Sequence, residues 1–77
     1  MQETTLGDAA IGVTVRVLRL ETRLGMRRRL QDIGLTEGAL STCLFASPSG
    51  DPRAYLVRGA VIALREEDAK TIFVEAV

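Results

Sequence analysis

Few side chains in this sequence are equipped for chemistry, and their types narrow the choices. None of the 77 residues is a histidine. That removes imidazole acid–base catalysis, histidine-based nucleophilic triads and imidazole metal ligation. The single cysteine, Cys43, cannot close an internal disulfide or supply the roughly four nitrogen and sulfur ligands of a structural zinc site. A reactive thiol would need an electropositive, partly exposed setting, so Cys43 is expected to be a small core hydrophobe. Glu66, Glu67 and Asp68 form an acidic run that a hard divalent cation could use. Three successive residues converge poorly, so the run is expected to be a solvated face and only a weak metal candidate. Gly50 and Gly59 fall in no phosphate-cradling pattern. These residues point to no catalytic group and no cofactor, and a protein that is not an enzyme is expected.

Surfaces remain. Arg23 and the run Arg27, Arg28, Arg29 are the sharpest charged feature. One reading is a solvated helix face in which Arg28 and Asp32 pair at i, i+4, stabilising the helix by about 0.3 kcal/mol. The other is a docking patch for an acidic protein surface or for anionic headgroups. Ten basic and ten acidic residues cancel overall, yet residues 16–29 hold six arginines against one glutamate, and residues 66–77 hold four acids against one lysine. Such a dipolar surface suits steering towards a partner. Zero net charge and three aromatic residues argue against a groove that tracks a nucleic-acid backbone.

The elements that must position these residues follow from periodicity. In residues 26–38, Met26, Leu30 and Ile33 fall at i, i+4 and i+7 and predict a short amphipathic helix. Gly34 stands where a left-handed cap would end it, and Leu35 is then free to fold back. Gly38 supplies a turn into a strand. Residues 12–20 predict a first strand, with Val13, Val15 and Val17 alternating before the phase shifts to Leu18 and Leu20. A shift of that kind suggests a bulge or strong bend. Residues 39–47 predict a second strand of ambiguous facing: either Leu40, Thr42 and Leu44 or Ser41, Cys43 and Phe45 point inward. Pro48 to Pro52 is the strongest turn signal. Residues 53–57 and 60–64 predict a hairpin about Arg58-Gly59, residues 65–70 a single helical turn, and residues 72–77 a last strand with Ile72 and Val74 inward. In that hairpin Leu56 faces Val61, and the two would meet on the outer face as a candidate partner or self-association patch, with Leu40 and Phe45 able to join them.

Five short strands with one helix inserted after the first predict a small barrel, with an open sheet as the competitor. The fold is expected to be mainly β and to be one domain over residues 1–77. The polar, acidic start shows no secretory leader, no stretch reaches the roughly 18 apolar residues of a membrane span, and a lone cysteine suits a reducing compartment. A cytoplasmic protein is expected, peripheral to a membrane at most.

The strings RRRLQDIGLTEG, SPSGDP and VRGAVIALREEDAKTIFVE closely resemble the FeoA family of ferrous-iron-transport accessory proteins. Leu30, Gly34, Leu35, Thr36, Gly38, Gly50, Asp51, Pro52, Arg58, Gly59, Ala63, Leu64 and Arg65 stand at the matching positions, and the likeness runs from Leu6 to Val74. Glu37 replaces a common proline, Ser41 takes a usually apolar slot, and Phe45 and Leu56 take usually polar ones. The resemblance implies an SH3-like barrel and a cytoplasmic protein that assists the membrane ferrous-iron transporter FeoB by contact with its cytoplasmic GTPase part. Arg23, Arg27, Arg28, Arg29, Leu56 and Val61 are the candidate partner-binding residues. Two alternatives are a regulatory barrel like that of iron-dependent repressors, which a chain without DNA-binding helices disfavours, and a weakly divalent-metal-responsive protein.

Overall fold

The structure is a computed structural model that describes residues 3–77; Met1 and Gln2, the start of the polar leader stretch, lie outside the described residues. Six strands, β1 (Glu3–Thr5), β2 (Thr14–Leu20), β3 (Leu40–Ala46), β4 (Arg53–Val57), β5 (Ala60–Leu64) and β6 (Ile72–Ala76), form one sheet. Their order is β1-β6-β2-β3-β4-β5, and every pairing is antiparallel. A 3-10 turn, Leu6–Asp8, follows β1, the helix α1 (Leu24–Asp32) joins β2 to β3, and α2 (Glu66–Ala69) joins β5 to β6. The expected barrel is thus a curled sheet with one strand more than the periodicity suggested. Its edge strands β1 and β5 do not pair with each other.

Curling in so short a sheet comes from two register shifts. One lies between Val17 and Arg19 against β6, where the apolar phase changes in the sequence. The other lies between Cys43 and Phe45 against β4. Each extra residue bends its strand and increases the local twist. The second bulge also answers the ambiguity of β3. Ser41 and Cys43 are buried, Leu40 is exposed, and beyond the bulge Phe45 is turned outward with 59% of its surface exposed.

The core gathers Leu6, Val15, Val17, Leu30, Leu35, Cys43, Tyr55, Val57, Ile72 and Val74, all nearly or wholly buried. Leu6, directly after β1, is wholly buried and anchors the start of the chain to the core. Val13 does not join the inward row of β2 and stays exposed. The helix begins at Leu24, two residues before the expected stripe opens at Met26, and ends at Asp32. Ile33 therefore lies past the last helical residue and is 42% exposed. Of the predicted stripe only Leu30 is fully buried, with Met26 packed partly against the core.

Candidate functional site

α1 is short and poorly capped at its start. Its N-cap is Arg23, which makes no side-chain cap, and its first turn carries no acidic residue. Arg23, Arg27 and Arg28 therefore bring positive charge to the end where the helix dipole is already positive. Gly25 adds a conformational cost of about 1 kcal/mol relative to alanine. Arg29 alone stands in the last turn, where the dipole favours a cation.

What holds α1 is its far end. Gly34 takes φ +107°, its N–H donates to the Gln31 carbonyl at 3.0 Å, and the Leu35 N–H donates to the Leu30 carbonyl at 2.9 Å. These two bonds make a Schellman cap, and Leu35 folds back into the core beside Leu30. The hairpin between β4 and β5 locks it. Arg58 (φ 48°) and Gly59 (φ 83°) form a two-residue turn with both residues left-handed, the type whose twist matches the flanking strands. From there Arg58 Nε donates to the Gly34 carbonyl at 3.1 Å and its Nη2 to Thr36 Oγ1 at 3.1 Å. A Cβ on Gly34 would stand 2.6 Å from Arg58 Cδ. An arginine where a positive φ favours glycine or asparagine is the sequence signal for this clamp. Asp51 also ties distant segments together, since its Oδ1 accepts the Glu66 N–H at 2.9 Å and so caps α2 from a remote turn. Gly34, Leu35, Gly38, Gly50, Asp51, Pro52, Arg58 and Gly59 are thus residues of turns and caps.

The positive stretch of sequence divides in space. Arg16 lies 3.7 Å from Glu75. Arg19 pairs with Glu21 at 2.8 Å and with Glu3, and its guanidinium stacks 4.4 Å over the centre of the Phe73 ring. Those bonds, to Glu21 first and then Glu3, hold the Arg19 charge in place. Arg23, Arg27, Arg28 and Arg29 take part in no ion pair among the described residues, and the expected Arg28–Asp32 pair does not form. Arg27 and Arg28, with Arg19, Leu20, Leu24, Gln31 and Glu37, line a hollow of about 390 Å³. Arg23 and Arg29 turn to the other side of the helix. There they border a groove of about 710 Å³ with Met26, Ile33, Leu64 and Arg65.

Leu56 and Val61 are register partners across β4 and β5, as the hairpin predicts, and both are exposed. With Leu40 and Phe45 they make an apolar outer face on β3, β4 and β5. Glu66 points to Lys70 at 3.7 Å, while Glu67 and Asp68 line the 710 Å³ groove. Among the described residues no three His, Cys, Asp or Glu side chains come together in a metal-holding arrangement. Cys43 is buried and paired in register with Tyr55. No helix among the described residues is long and apolar enough to cross a membrane.

A curled antiparallel sheet with bulged strands, a capped connecting helix and charged and apolar outer surfaces defines a small SH3-like β domain. The FeoA domain matches residues 4–76, and the chain belongs to that family. It is 31% identical over all 77 residues to an Fe(2+) transport protein A/Fe(2+) transporter FeoB fusion protein of Porphyromonas gingivalis, and spans only 8% of that protein's length. The solution structure of the FeoA protein from Chlorobium tepidum superposes with a TM-score of 0.92 at 30% identity, covering 96% of this chain and 70% of the other. The crystal structure of Stenotrophomonas maltophilia FeoA with zinc, described as a prokaryotic SH3 domain protein, gives a TM-score of 0.84 at 24% identity over 94% of this chain and 89% of the other. That last likeness speaks for the fold. Together the matches place the chain in a small accessory family of ferrous-iron transport.

Proposed function

We propose that this domain is an adaptor of ferrous-iron uptake, one that works on the cytoplasmic side by docking the arginine face of α1 onto the cytoplasmic GTPase part of a FeoB-type transporter. The observation that carries the reading is the Porphyromonas gingivalis relative, in which a stretch 31% identical to the whole chain is fused to the transporter itself. Fusion holds two partners at high effective concentration and so favours a contact between them. The three arginines of α1 and its N-cap Arg23, which form no ion pair among the described residues, fit an acidic surface that reaches both sides of the helix. Their charge raises the rate of encounter as well as fixing its orientation. No catalytic group is asked for: the domain acts by contact.

The test is a calorimetric titration of the transporter's soluble cytoplasmic domain, with and without guanine nucleotide. Wild-type chain should bind, and the triple variant Arg27→Glu, Arg28→Glu, Arg29→Glu should lose at least about 2 kcal/mol of affinity while keeping its fold. Equal binding by the triple variant would remove α1 from the interface. Failure of the wild type to bind would remove the adaptor reading.

A further inference from the structure

One wall of the groove between α1 and β5 is a strand edge with unused backbone groups. The two-residue turn at Arg58-Gly59 makes Val57 and Ala60 a hydrogen-bonded pair. By the alternation of an antiparallel ladder, Ile62 and Leu64 also bond inward to β4. The N–H and C=O of Val61 and Ala63 then point away from it. β5 has no neighbour on that side, and it carries no charge and no proline to discourage one.

α1 decides what can reach those groups. It stands across the groove from Ala63 and Leu64, in the space where a second sheet would continue, so one strand is admitted and a sheet is not. Arg23, Met26, Arg29 and Ile33 recur every three or four residues and form the facing wall, with Leu30 buried at its base. From Arg23 to Ile33 that wall is about 15 Å long at 1.5 Å per residue. A strand of four or five residues, at about 3.3 Å each, has the same length. The lining it would meet is apolar at Met26, Leu30, Ile33, Ala63 and Leu64, around a space of about 710 Å³.

Charge narrows the occupant further. α1 brings Arg23, Arg29 and Asp32 to the groove, a net positive side, while Arg65, Glu67 and Asp68 make the α2 side net negative. No ion pair joins these six among the described residues. Opposite charges held apart on two elements complement a segment that turns an acid towards α1 and a base towards α2. Arg23 and Arg29 also belong to the docking face assigned above, so the groove continues that surface.

We propose that the groove takes an extended, largely apolar segment of the transporter's cytoplasmic part, which pairs with Val61 and Ala63 as a further strand of the sheet. The proposal rests on the adaptor reading and deepens it: the arginines guide the encounter, and the added strand fixes its register. The test is amide hydrogen exchange of isotope-labelled chain, alone and with saturating unlabelled cytoplasmic domain of a FeoB-type transporter. The Val61 and Ala63 amides should slow at least about tenfold in the complex. Ala63→Pro removes an N–H that β4 does not use and should weaken binding at least about tenfold. Ile33→Glu, at a residue 42% exposed, puts a charge on the apolar lining and should do the same. Circular dichroism checks both folds, and Ile33→Glu decides if the proline variant does not fold. Binding with both amides exchanging as fast as in the free chain overturns the strand and leaves the adaptor reading standing, as do folded variants that bind like the wild type. Slowing that appears in the chain alone as its concentration rises overturns the proposal and assigns the groove to a second copy. A wild type that does not bind removes both readings.

Discussion

Ser41 is a hydroxyl in the wrong company. It is 1% exposed, and its Oγ has no hydrogen-bond partner among the described residues, while its register neighbours Val15 and Val57 offer only apolar side chains. A buried, unpaired hydroxyl costs about 1–3 kcal/mol, so Ser41→Ala should stabilise the domain by about 1 kcal/mol. Thermal unfolding should then move up by roughly 4–8 °C for a domain of this size. Tyr55 gives a second test at the same scale. Burial, reinforced by the nearby Cys43, raises its pKa above the usual tyrosine value. The neutral phenol is therefore favoured in the folded state, and its contribution is fully present below the unfolded pKa. As pH rises past about 10 the unfolded chain ionises first, and stability falls until the folded group also titrates. Chemical denaturation at pH 8 to 11, read with Tyr55→Phe as control, should show that alkaline loss in the wild type and less of it in the variant.

The elements show what was legible in the sequence and why. The hairpin was readable to the residue because a two-residue turn fixes register, so Leu56 could be set against Val61 without coordinates. The cap at Gly34 was readable because it follows an apolar stripe. β3 was not: its bulge falls between Cys43 and Phe45, so its inward row follows neither simple alternation, and no single phase assigned to residues 39–47 could be right throughout. β1 escaped because Glu3, Thr4 and Thr5 carry no apolar pattern, and its strand character comes wholly from pairing with β6. The turn position of Arg58 hints at a clamp, but its partners Gly34 and Thr36, like the place of Arg65 beside the α1 groove, depend on contacts between segments distant in the chain. Periodicity starts α1 about half a turn late because Leu24 and Gly25 do not continue the buried stripe. Its marginal composition yields a prediction at this scale. A Cβ at Gly25 would meet nothing within 4 Å, so Gly25→Ala should raise stability by about 0.5–1 kcal/mol in urea denaturation. Binding to the transporter domain should be unchanged or tighter, since the arginine face is only made more rigid.

At the scale of the whole molecule, the chain is a compact β framework, with a Cα radius of gyration of 11.0 Å, that distributes different surfaces around one core. Arg16 and Arg19 are engaged in ion pairs that tie β2 to acidic residues, and the free positive charge is concentrated on α1. The exposed apolar residues Leu40, Phe45, Leu56 and Val61 lie on β3, β4 and β5. Binding through α1 should weaken steeply between about 50 mM and about 500 mM salt, read by calorimetric titration.

The most direct test is a titration of isotope-labelled chain with the unlabelled cytoplasmic domain of a FeoB-type transporter, followed by amide chemical shifts. Docking through α1 predicts that the largest changes fall on Arg23, Arg27, Arg28 and Arg29 and on the linings of their two hollows, and that they fade as salt is raised. Changes centred on the outer face of β3 and β4 with α1 unmoved, or no changes at all at millimolar partner, would contradict it.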